Sequence, residues 1–155
     1  MSIPGHVAEL LKKVEHLLEL GRIEDALHIA TSQSSGNPAQ SNARAVCLMR
    51  LGKADEAVRV LRSVVIDQTG VLMRQDIPTA YKSNFAVALA LAGNLSGATS
   101  LLAELGEETD TQVEGLSKCI RIARSKRSFM QKLMGFFGTS DDTRIELDFT
   151  PGLLR

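Results

Sequence analysis

Three short phrases decide how this chain is read: "LGRIEDA" (20–26), "LGKADEA" (51–57) and "AGNLSGA" (92–98). Each sets a glycine five residues ahead of an alanine, inside an apolar pattern of helical period. Aligned on Gly21, Gly52 and Gly93, the flanking columns agree in chemistry. Four residues before each glycine stands Leu17, Leu48 or Leu89, and seven before stands Val14, Ala45 or Ala86. Five after comes Ala26, Ala57 or Ala98, eight after Ile29, Val60 or Leu101, and nine after Ala30, Leu61 or Leu102. This is the pattern of a helical hairpin. The glycine permits the left-handed residue that ends one helix and reverses the chain. The alanine lets the returning helix approach closely. A single hairpin cannot cover its own apolar faces, so hairpins of this kind stack.

Working outward, apolar spacing predicts helices over about 7–20, 23–33, 38–51, 54–68, 79–92, 95–105 and 112–136. Asn37 and Pro38 make a start signal for the third, and Thr111 with Glu114 a capping box for the last. "DQTGVLMRQDIP" (67–78) breaks the rhythm, either as a long connection or as an interrupted helix. Along the last helix Leu116, Ile120, Ala123, Met130, Met134 and Phe137 form one apolar ridge; Ile122, Phe129, Leu133 and Phe136 form another. A helix this apolar is covered or covers a partner. Residues 138–155 have no helical period. "RIELDF" (144–149) alternates, as a short strand or an extended arm would.

The hairpin residues resemble the tetratricopeptide repeat family. The resemblance covers about 7–105, with degenerate repeats over 7–36, 38–68 and 79–105. It rests on the small residues Val14, Ala45 and Ala86, the reversal glycines, and Ala26, Ala57 and Ala98. The chain departs where the family carries a large aromatic, since Leu17, Leu48 and Leu89 stand there. The glycines lie 31 and 41 residues apart, against about 34 for the family. The implied fold is all-α: a right-handed superhelix of antiparallel hairpins over residues 1–137, closed by the long helix at about 112–136 and followed by an extended tail, 138–155.

In such repeats the first helices line a concave groove that commonly holds a peptide. The groove positions of the family fall here on Leu11, Glu15 and Leu18, on Asn42, Val46, Met49 and Arg50, and on Ser83, Val87 and Leu91. Val46, Met49, Val87 and Leu91 give it an apolar centre, and an open face with Met49, Val87 and Leu91 exposed is what a peptide-binding adaptor would present. The Lys/Asn/Arg clamp by which some members hold acidic chain ends is absent: Leu11, Glu15, Ala43, Ala80 and Asn84 occupy its positions. In size and repeat number the chain is also similar to the small cytoplasmic chaperones of bacterial type III secretion, and "NFAVALALAGN" (84–94) resembles phrases in pilus-assembly repeat proteins.

Elsewhere the sequence argues by exclusion. The net charge is zero, which gives no general attraction to nucleic acid or membrane. Aromatic residues are 4% of the chain, too few to stack bases along a basic surface. Six basic residues and no acidic ones lie between Lys118 and Lys132. They read first as a solvated face complementing the acidic stretch 104–114, and second as a surface for an acidic partner or an anionic membrane. His6, His16 and His28 fall on polar helix faces with no metal spacing, Cys47 and Cys119 read as buried thiols, and no phosphate-binding glycine motif occurs. The expectation is therefore a cytoplasmic protein with no catalytic residue, metal or cofactor, a non-enzymatic adaptor or chaperone whose partner is a segment of another protein. The alternative is a self-assembling scaffold, a homodimer that buries Phe129, Met134, Phe136, Phe137, Ile145, Leu147 and Phe149, the tail docking either on its own chain or in the groove of a second copy.

Overall fold

A computed structural model describes residues 3–32, 36–67, 69–70, 72–106, 111–134 and 145–154, with the side chains of 126–134 left aside. All seven elements among these residues are helices: α1 (Gly5–Glu19), α2 (Ile23–Thr31), α3 (Pro38–Arg50), α4 (Ala54–Val65), α5 (Thr79–Leu91), α6 (Leu95–Leu105) and α7 (Thr111–Met134). None is long and apolar enough to cross a membrane.

The three glycine phrases form one hydrogen-bonded device three times over. Gly21, Gly52 and Gly93 hold φ at 72°, 73° and 86°. Their N–H groups donate to Leu18, Met49 and Ala90, and the next N–H in each case donates to the repeated leucine, Leu17, Leu48 or Leu89. This paired closure satisfies carbonyls that a helix end would otherwise leave orphaned. Four residues into each following helix, Ala26, Ala57 and Ala98 donate back to the residue after the glycine and are wholly buried. The alanine column is thus a contact surface, and the glycine column a reversal.

The hairpins α1–α2, α3–α4 and α5–α6 pack in series, and α1 also packs on α3, α3 on α5 and α5 on α7. α5 lies in the middle of this arrangement and is enclosed on nearly every side, from Tyr81 to Ala90. One continuous core runs from Val7 on α1 to Ile120 on α7 and takes in Ile145 of the tail.

Several boundaries differ from the sequence expectation. α3 begins as expected, with Pro38 first and the Asn37 side chain accepting from Ala39 N–H at 2.9 Å. α4 stops at Val65 rather than 68, because Ile66 turns extended and pairs with Met73 in an antiparallel bridge. Asp67 N–H donates to Leu72 and Arg74 N–H to Val65, and none of the described residues between Ile66 and Pro78 is helical. Met73 and Ile77 are buried from it. Thr111 is the first residue of α7, so the position that would cap it lies outside the described residues. Ile122, assigned to an apolar ridge, is exposed. Phe136 and Phe137 lie outside the described residues, as do the side chains of Phe129 and Met134.

Candidate functional site

The surface that α3, α5 and α7 share is occupied by the chain's own segment 145–154. It carries three buried amides, Asn42 on α3, Asn84 on α5 and Gln112 on α7, none more than 3% exposed. Asn84 Nδ2 donates to Asn42 Oδ1 at 2.7 Å, and Gln112 Nε2 donates to Asn84 Oδ1 at 2.8 Å and to Ser83 Oγ at 3.3 Å. Three amides from three helices therefore form one relay. Each amide orients the next, because oxygen and nitrogen ends are not interchangeable in such a chain.

The relay grips a backbone. Leu153 N–H donates to Asn84 Oδ1 at 2.8 Å, and Asn84 Nδ2 donates to the Leu153 carbonyl at 2.7 Å. Both peptide groups of one residue are thus held by one amide. Asn42 Nδ2 donates to the same carbonyl at 2.9 Å. Gly152 N–H donates to Gln112 Oε1 at 2.7 Å. Arg50, at the end of α3, donates from Nε to the Pro151 carbonyl at 3.1 Å and from Nη2 to the Gly152 carbonyl at 3.4 Å. Burial draws the Arg50 guanidinium below its ordinary value. Among the described residues no buried side-chain nitrogen or oxygen lacks a partner. These contacts read main chain, so they hold a non-helical segment without selecting its side chains.

Shape adds selectivity. Gly152 has φ +95°, and a Cβ built there would stand 2.7 and 2.8 Å from the Val46 methyls. Only glycine fits the close approach to α3. Upstream, the Phe149 ring lies against Gly115 of α7, where a Cβ would come within 2.9 Å of Cδ1. Asp148 accepts from Lys118 Nζ at 3.0 Å and from Cys119 Sγ at 3.5 Å. The Lys118 ammonium, then the thiol, hold the Asp148 carboxyl below the ordinary range. Ile145 is buried, and Leu147, Phe149 and Leu154 are partly buried against the core.

The expected groove residues divide under this geometry. Asn42, Val46 and Arg50 touch the bound segment. Ser83 supports it at one remove, through Gln112. Met49 and Val87 were expected on an exposed face and are instead buried, as is Val46. Gly152 covers Val46, while Met49 and Val87 belong to the continuous core. Leu91 is half-covered and packs on the same core. On α1, Leu11 and Leu18 are core residues and Glu15 is half-exposed. Ile145, Leu147 and Phe149 dock within the one chain, as one of the two expected arrangements has it.

Sequence reading missed four contributors. Asn84 entered only as an unmatched clamp position. Gln112 gave no signal, since a polar residue in a helix's first turn is ordinary. Gly115 and Gly152 were readable as glycines lacking a reversal to make. On α7 the basic face is solvated at Arg121 and Arg124, with Lys118 paired to Asp148 of the tail and Arg124 donating to Thr99 on α6.

Other features offer less. His6, His16 and His28 are exposed, and the described residues contain no group of three His, Cys, Asp or Glu that could hold a metal. Cys47 is buried mid-helix, and burial pushes its thiol up to about 11, which removes the nucleophilic thiolate near neutral pH. An open depression beside α4 is lined by Arg59, Arg62, Ile66, Asp67 and Arg74, but Arg74 is already paired with Asp76 at 2.6 Å, and no residue of the amide relay reaches it. Comparison of the chain with family models, with curated proteins and with solved structures finds no match.

Proposed function

We propose that this protein is a non-catalytic interaction module, a tetratricopeptide-like stack of hairpins that holds an extended segment of a partner protein along α3, α5 and α7. One observation carries the reading: amides from three alternate helices, α3, α5 and α7, converge on the main chain of a non-helical segment, with one asparagine holding both the N–H and the C=O of a single residue. A core that needed only to be closed would use apolar side chains there. Buried amides cost free energy unless each is paired, and pairing them with a separate stretch of backbone is what a peptide site requires.

The test is selection of random 12-residue peptides on a parent chain whose tail is opened by Gly152→Val, and on the same chain with Arg50→Glu added. Arg50 is half-buried at the rim, and its substitution removes two contacts to bound carbonyls without emptying the core. Peptides that bind the parent at least tenfold better than the variant support the reading. Binders indifferent to Arg50→Glu, or a selection that yields none, overturn it.

A further inference from the structure

We infer that segment 145–154 is a resident copy of the groove's ligand, so that a partner segment of the pattern acidic–aromatic–x–Pro–Gly–aliphatic binds α3, α5 and α7 by displacing it. This rests on the peptide-binding reading above and adds what the peptide looks like and what stands in its way.

Each position of the pattern has a cause in the site. The acidic residue meets Lys118 and the Cys119 thiol, as Asp148 does. The aromatic ring meets the bare backbone of Gly115, where any side chain would collide with Phe149. Thr150 is exposed and makes no described hydrogen bond, so its position is free. Proline fits the next position because Pro151 uses only its carbonyl, toward Arg50, and has no N–H to satisfy. Glycine is required next: its φ of +95° and the Val46 methyls at 2.7 Å exclude a Cβ. The next residue presents both peptide groups to Asn84, as Leu153 does, and an aliphatic side chain suits its half-buried place. Most of these contacts are made to main chain or to a single exposed carboxylate. A separate chain of the same pattern would make every one of them, and could not do so while the tail is seated.

The experiment uses the full chain, the full-length Gly152→Val variant, and a fluorescent peptide, RIELDFTPGLLR, that repeats residues 144–155. Hydrogen exchange at Leu147 and Leu153 reports whether the tail is seated, and circular dichroism reports the helices. Gly152→Val is expected to free the tail, keep the helices, and bind the peptide at least tenfold tighter than the parent chain does. The same peptide carrying Gly152→Val is expected to lose at least tenfold in affinity for the opened chain, and one carrying Asp148→Lys a smaller factor. Should Gly152→Val lose its helices, the tail double variant Asp148→Lys/Phe149→Ser replaces it, since Asp148 is exposed and Phe149 is only partly buried. Equal peptide affinity for parent and opened chains overturns the competition while leaving a peptide site standing. An opened chain that binds no peptide overturns the site itself. A tail that stays protected in both variants overturns the contacts from which the pattern is drawn.

Discussion

Asn84 uses its whole hydrogen-bonding capacity: two acceptor positions toward Gln112 and Leu153, two donor positions toward Asn42 and Leu153. Its truncation takes their described partner from Asn42 Oδ1 and from the Leu153 N–H in a dry setting. Asn84→Ala is expected to lower stability by about 1–3 kcal/mol, read as a shift of the urea midpoint at unchanged slope. Asp148 predicts a pH dependence. Its carboxyl is depressed from 3.8 while docked, so its contribution to docking is present above that value and fades as pH falls through the lowered one. The Phe149 ring resonances, followed by NMR, are expected to move toward undocked values on acidification, and Asp148→Asn is expected to abolish that movement. Cys47 runs the other way. Its thiol is raised from 9.0 to about 11, so the folded state binds the proton more tightly. The stabilisation is complete below 9.0 and is lost as pH rises toward 11. At pH 8 a thiol reagent is expected to leave Cys47 unmodified until the chain is unfolded.

Among the elements, the reversals were legible and the loop was not. Gly21, Gly52 and Gly93 announce themselves because a left-handed residue at a helix end has few substitutes, and a buried alanine at fixed spacing marks the return. The segment 67–78 has no such local rule. Its form comes from Ile66 meeting Met73 across seven residues and from the burial of Met73 and Ile77, contacts that no short window of sequence contains. The repeated turn also sets a prediction. Nothing lies within 4 Å of a Cβ added at Gly52, so Gly52→Ala costs only the backbone conformation, about 1–2 kcal/mol. Ala57→Leu, on the wholly buried partner position, meets packed neighbours instead and is expected to cost about 1–3 kcal/mol. Thermal unfolding of the two variants compares strain with crowding in the same hairpin.

For the molecule as a whole, the sequence made the helices and their order readable and left the site half-hidden. Asn42, Val46 and Arg50 came from repeat register. Asn84 and Gln112 did not, because the reason for a buried amide lies in what it faces, and here that is backbone 69 and 40 residues away along the chain. The tail closes the longest of these contacts, Asn42 to Leu153, over 111 residues. That separation has a consequence in time. A chain is synthesised at about 5–20 residues per second, so several seconds pass between the appearance of Gln112, the last of the three amides, and that of Leu153. Helical hairpins with local contacts form in far less. The hairpins α1–α2 and α3–α4 thus stand complete before the tail is made, and the tail docks last, onto helices already in place.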